Sequence, residues 1–296
     1  MEILSKLTPH SSFTIWGGSQ LSKIKQIVSS EKLGETWEIS TLDKGPSKIG
    51  SQNLNELCSL SYLVKFIDTS DNLSVQVHPG DEYAKTHENS KGKTECWIIL
   101  AAKEDAGIYL GFKKGITKKE FRTAIENSLD VNNYLNYIPV KPGDFFYVPS
   151  GSVHAIGSGV TLAEVQQSSG ITYRVWDWNR VDDKGQSREL HIDKALDVLN
   201  FNNDFNSKLL KENNLFEKSG LNEFVSHDDF KSSLLCLESG KEIEIKLQEK
   251  EGLSILDGLV EIDSTIYSKF DSGISLKTGL VKIKAIESSK ILLVRE

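Results

Sequence analysis

Apolar and polar residues alternate over short runs through most of this chain. Residues 73–78 (LSVQVH), 241–247 (KEIEIKL) and 279–286 (GLVKIKAI) follow a two-residue period, the signature of a strand with one face buried. Clusters of Gly, Asn, Asp and Ser interrupt the runs, which predicts a barrel or sandwich rather than βαβ units. Helical spacing is rare. Residues 117–127 open with Thr117 in N-cap position, place Glu120 three residues on as in a capping box, and space Phe121, Ala124 and Ile125 along one helix face. Residues 187–199 set Leu190, Ala195, Leu196 and Leu199 in a second stripe, and polar 200–220 reads as a connection. From Leu221 the alternation resumes to Glu296. The pattern predicts a mainly β chain of two units, 1–220 with helical insertions and a smaller 221–296.

Composition narrows the class. With 296 residues, 38% hydrophobic and 26% charged, the chain is long enough for a sizeable core and too apolar for disorder. A formal charge of -7 argues against nucleic acid or an anionic membrane as partner and leaves a small molecule, for which a local basic pocket suffices. The longest apolar run, 96–102, is 7 residues, far below the ~20 of a membrane helix. Residues 1–13 lack the pattern of a signal peptide. Cys58, Cys96 and Cys236 fit neither a disulfide framework nor a CxxC site, so a reduced, cytoplasmic setting is expected.

The chemistry concentrates in three segments. In 73–78, strand alternation puts Ser74, Gln76 and His78 on one face with Leu73, Val75 and Val77 behind. In 93–100, Lys93, Glu95 and Trp97 share a side and Cys96 turns to the core. Residues 143–154 (GDFFYVPSGSVH) have the spacing G-x5-P-x-G-x2-H, the second motif of the cupin barrel, in which Gly143, Pro149 and Gly151 make turns that aim His154 inward. The cupin first motif ordinarily carries two His and a Glu close together; here Gln76 stands for one His and Glu95 is delayed by residues 79–93. Two imidazoles, a carboxylate and an amide oxygen suit a divalent metal with open positions, and such a set accepts Zn, Mn, Fe or Co.

This modified set resembles the type I phosphomannose isomerases in their short bacterial form. The resemblance runs through Trp16-Gly17-Gly18, 34–40 (GETWEIS), 73–79, 92–95 (GKTE), 111–115 (GFKKG), the His154 motif, 170–180 (GITYRVWDWNR) and Arg188-Glu-Leu-His191. It implies two cupin-like (jelly-roll) barrels, one zinc per chain on Gln76, His78, Glu95 and His154, and Arg174 as catalytic arginine. It also places Lys93 and Lys65 at the active site. The implied reaction is aldose–ketose isomerisation of mannose 6-phosphate to fructose 6-phosphate through a cis-enediol, which needs a proton carrier at C2 and positive charge at O1 and O2. Arg174 and Arg180 have the same parity, so an extended chain turns both to one face. Arg180 and Ser74 are assigned to the phosphate, Arg174 to the enediolate, and Glu38 to a sugar hydroxyl or proton relay. The rival readings are another metal cupin enzyme and a sugar-phosphate sensor without turnover; Lys93 and Arg174 beside a full ligand set argue against the sensor. His10, His87, His191 and His227 read as surface or core residues, Trp176 and Trp178 as packing, and Lys113-Lys114 as a solvated turn. After Leu221 no ligand spacing recurs, so no second metal is expected there.

Overall fold

The computed structural model describes residues 2–181, 185–210 and 213–296. Six antiparallel strands form one sheet in the order Phe145–Val148, Glu95–Ala102, Val160–Gln167, Tyr62–Asp68, Leu33–Ile39 and His10–Gly18. Five more, Leu135–Pro139, Gly107–Phe112, His154–Ile156, Val75–Val77 and Tyr173–Trp176, form the sheet that closes the first cupin barrel. The second barrel pairs a six-stranded sheet with the four strands Glu242–Leu247, Gly279–Ala285, Leu259–Ile262 and Thr265–Ser268. Its six-stranded sheet is edged at one side by Gly220–Ser226 and at the other by Leu4–Lys6, whose Leu4 lies opposite Ser275. A division at 220/221 therefore leaves out one strand: the start of the chain crosses to the second barrel and covers an edge that would otherwise show unpaired N–H and C=O groups.

The large sheet of the first barrel is buried on both faces. In Tyr62–Asp68, Tyr62, Val64 and Phe66 pack toward the second barrel in one cluster with Phe270, Ile274 and Leu292, and the Phe66 and Phe270 rings are 4.5 Å apart. Leu63, Lys65 and Ile67 point the other way, into a cavity. Val160–Gln167 divides in the same manner, with Ala163 and Val165 on the apolar side and Glu164 on the cavity side. Cys96 is in the apolar cluster, as its parity predicted.

The helix Lys118–Glu126 forms with the Thr117–Glu120 capping box and buries Phe121, Ala124 and Ile125. The second stripe yields a shorter helix, Ile192–Val198, burying Ala195 and Leu196. Leu190 is 38% exposed, because the helix begins only at Ile192 and the segment before it ties back through His191 N, which donates to Arg174 O at 2.7 Å. The polar connection holds a further helix, Asn203–Lys208, capped by the Asn202 side chain. Among the described residues no helix is long and apolar enough to cross a membrane.

Candidate active site

Val75–Val77 is only three residues long, yet it sits between His154–Ile156 and Tyr173–Trp176. Gln76 is the register partner of both His154 and Arg174, so the three side chains form one row across the sheet. Val75 and Val77 anchor the strand from behind in an apolar cluster. The turn that carries His154 is fixed to the strand that carries His78: Gly151, at φ +84, donates its N–H to His78 O at 2.9 Å. The insertion after His78 folds into the helix Asp81–Glu88 and returns with Lys93 N donating to Pro79 O at 3.0 Å. That closure brings Glu95 back beside His78 despite the distance in sequence.

His78, Glu95 and His154 are each fully buried, with ligand atoms within 4.8 Å of one another. Each histidine Nε2 is 3.4 Å from a Glu95 oxygen. Their Nδ1 atoms meet backbone carbonyls, Ile171 O at 2.8 Å and Ser152 O at 3.0 Å. A carbonyl only accepts, so Nδ1 carries the proton and the Nε2 lone pair is left on the side of Glu95. Burial, reinforced by Lys93, pulls His78 down to about 3, and burial lowers His154 as well. Burial alone would raise Glu95, but Lys93 and His78 outweigh it and hold the carboxyl well below the usual range. Both shifts favour neutral imidazole beside carboxylate, the form that binds a metal. Glu95 Oε1 is buried without a hydrogen-bond donor. Lys93 Nζ lies 2.9 Å from His78 Nε2 and 2.5 Å from Glu95 Oε2, so positive charge is already favoured among these atoms. The donor set thus fits a divalent cation. Gln76 lies beside this set: its amide nitrogen is 3.3 Å from His154 Nε2, while its oxygen accepts from Ser74 Oγ at 3.4 Å.

The opposite wall is a row of four register neighbours, Trp97, Glu164, Lys65 and Trp37. Lys65 Nζ lies between Glu35 Oε2 at 3.3 Å and Glu164 Oε1 at 3.4 Å, and 5.1 Å from the Trp37 ring centre. Trp37 Nε1 donates to Glu35 at 2.6 Å and Trp97 Nε1 to Glu164 at 3.0 Å. Burial would lower Lys65, but its two carboxylates reverse the effect and raise it. Glu164 is raised, by burial and then by Glu95. Glu35 is lowered, because Lys65 and the Trp37 N–H outweigh burial. These walls enclose a cavity of about 270 Å³ that also takes in Ser74, Arg174, Arg188 and Lys44.

Two expected residues are not brought to this cavity. Glu38 faces the second barrel, where it pairs with Lys25 at 2.8 Å and accepts from Ser272 at 3.1 Å. Glu35, three residues earlier, faces the cavity instead, because it has the parity of Trp37 whereas Glu38 has that of Thr36, which lies opposite Phe66 on the other face. Arg180 is held outside by Asp177, Asp71 and Asn72 O. Its parity with Arg174 is lost because the strand ends at Trp176 and Trp178 and Asn179 take φ of 58° and 54°. Arg188 reaches the cavity in its place, fixed to both oxygens of Asp177. Arg174 donates to Glu189 O at 2.8 Å, and its Nε is buried without an acceptor. Glu35, Glu164, Arg188 and Lys44 escaped the sequence reading as site residues, although a lone Glu inside the apolar run VTLAEV and the Arg188-Glu-Leu-His191 block were visible signals.

No family model matches the chain. Over 205 residues it is 42% identical to a probable mannose-6-phosphate isomerase of Bacillus subtilis, a match covering 62% of this chain and 64% of that one. Over 204 residues it is 44% identical to the mannose-6-phosphate isomerase of Streptococcus mutans, with the same coverage, 62% and 64%. The matched stretch is therefore a little under two thirds of these relatives' length. The fold likeness extends further. The crystal structure of the mannose 6-phosphate isomerase from Bacillus subtilis superposes with a TM-score of 0.83 at 29% identity, covering 100% of both chains. A putative mannosephosphate isomerase from Archaeoglobus fulgidus shares the fold at a TM-score of 0.73 and 20% identity, over 99% of this chain and 98% of that one.

Proposed function

We infer that this chain, a homologue of the mannose-6-phosphate isomerases that shares their cupin fold, interconverts mannose 6-phosphate and fructose 6-phosphate. The observation that carries the reading is a buried His78–Glu95–His154 cluster whose Glu95 lines one cavity with Lys93, Lys65 and Arg174. Gln76, His78, Glu95 and His154 would hold one divalent ion, zinc by the family resemblance, and that ion would supply a Lewis acid for the sugar oxygens at C1 and C2.

The chain's own groups divide the remaining work. Lys93, whose Nζ lies within 2.9 Å of both His78 Nε2 and Glu95 Oε2, is the nitrogen nearest the ligand atoms and carries the proton between C1 and C2. Lys65 stays an ammonium, because Glu35 and Glu164 raise it, so its part is to stabilise negative charge rather than to accept a proton. Arg174, with Nε unanswered in the cavity wall, donates to the enediolate. Ser74 holds Gln76 and offers its hydroxyl to the substrate. The three free cysteines are consistent with a reducing compartment. Incubating the zinc-loaded protein with mannose 6-phosphate and assaying fructose 6-phosphate tests the reading. Tight binding of the sugar phosphate with no product would mark a sensor instead.

A further inference from the structure

The cavity is lined by the cations Lys44, Lys65, Lys93, Arg174 and Arg188 and by the carboxylates Glu35, Glu95 and Glu164. Four of these cations have acceptors in the protein: Lys65 has Glu35 and Glu164, Lys93 has Glu95, Arg188 has Asp177, and Arg174 has Glu189 O. Lys44 has neither an ion-pair nor a hydrogen-bond partner among the described residues. Its ammonium lies over the Trp37 ring, 5.3 Å from the centre. Partial burial and then Lys65 lower its pKa, with Glu35 a weaker opposing influence. An ammonium with no acceptor of its own, in a cavity that four other cations line, is a receptor for an anion.

Its place in the cavity indicates which anion. The row Trp97–Glu164–Lys65–Trp37 starts beside the ligand cluster, where Trp97 meets His154 edge to face at 5.4 Å between ring centres. It ends at Trp37, under Lys44. A sugar with C1 and C2 at the His–Glu–His cluster directs its far end along this row. Lys44 reaches across the mouth to Gly170, where a Cβ would lie 2.2 Å from Nζ and 2.8 Å from Cε. The absence of a side chain at Gly170 is what admits the ammonium.

We propose that Lys44 recognises the phosphate group of the substrate and so selects the phosphorylated sugar, a role the sequence had suggested for Arg180. The assignment rests on the isomerase reading for its substrate, and on the geometry alone for its anion. Charge-assisted hydrogen bonds of this kind are each worth about 10- to 100-fold in affinity. In the metal-loaded protein, Lys44→Ala lowers the ratio of kcat/KM for mannose 6-phosphate over free mannose by about 10-fold or more. Lys44→Arg keeps most of the ratio. Gly170→Ala, which fills the space Nζ occupies, moves it in the same direction as Lys44→Ala. Calorimetric titration with inorganic phosphate, independent of turnover, shows binding weakened by about 10-fold in Lys44→Ala. A ratio and a phosphate affinity that both remain at the wild-type level overturn the proposal. A wild-type protein that fails to isomerise mannose 6-phosphate overturns the isomerase reading; phosphate binding lost with Lys44→Ala then still supports an anion site, and phosphate binding retained refutes it.

Discussion

Between the sheets of the second barrel stand Leu235, Leu253, Ile255, Val260, Ile283 and Ile291, all fully buried; at inward positions of the first barrel stand Gln76, Glu95, His154, Glu164 and Lys65. Branched aliphatic side chains fill a sandwich to crystal-like density. Ionised groups cannot be packed in this way, since each needs a partner in place of lost water. The first barrel meets that need by mutual pairing, His78 and Lys93 on Glu95 and two glutamates on Lys65, and it keeps a cavity. It also leans on its neighbour: the back of its large sheet is dry and shares one apolar cluster with the second barrel. The comparison assigns chemistry to one barrel and cohesion to both.

Removing the proposed metal would separate these duties most sharply. Chelation, or His154→Ala, is expected to abolish turnover while leaving most of the cooperative unfolding transition, because the apolar clusters do not contain the ligands. Elemental analysis of His154→Ala should find the ion lost; full occupancy would break the ligand assignment. Next in size, Arg174→Ala should keep the metal and lower kcat by about 10²-fold, the scale for losing a preorganised donor to developing negative charge. An effect confined to KM would make Arg174 a ground-state binder.

What the sequence disclosed follows from how local each signal was. His154 and its turn lie in one contiguous motif, and Gln76, His78 and Glu95 lie on short strands whose parity could be counted. Counting parity fails where the strand stops. Arg180 is misplaced by the left-handed residues Trp178 and Asn179, whereas Glu38 obeys the alternation, which puts Glu35 and Trp37 on the cavity face and Glu38 on the other. Lys44 and Arg188 come from connecting segments, where no periodicity tells which way a side chain points. The crossing of Leu4–Lys6 to the second barrel is a contact over nearly the whole chain, and no local pattern encodes it.

Ile255→Ala in the second barrel should lower stability by about 2–5 kcal/mol, the usual range for emptying a packed core site, as read from denaturant unfolding. Metal content and KM should stay as in the wild type. If metal were lost with it, the two barrels would be coupled far more tightly than their division of polar and apolar interiors implies.

The smallest expected effect compares one ion-pair cluster in each barrel. Asp177, whose partner Arg188 lines the cavity, accepts from both Arg180 and Arg188. Burial pushes its carboxyl up, but the two guanidinium groups outweigh that and hold it below the ordinary range. A carboxylate with a lowered folded-state pKa stabilises the fold fully above its unfolded value of about 4 and loses that contribution as the pH falls through the folded value. Asp177→Asn should therefore cost about 1 kcal/mol between pH 5 and 8, and the gap to wild type should shrink toward pH 3. The counterpart in the second barrel, Glu242 with Lys282 at 2.6 Å, lies open to solvent with both side chains exposed, so Glu242→Gln should leave unfolding unchanged throughout. A gap for Asp177→Asn that widened in acid would mean that burial outweighs the two guanidinium groups and raises the carboxyl in the folded state, and this segment would then be held by Trp178 Nε1 on Leu73 O at 2.6 Å rather than by charge.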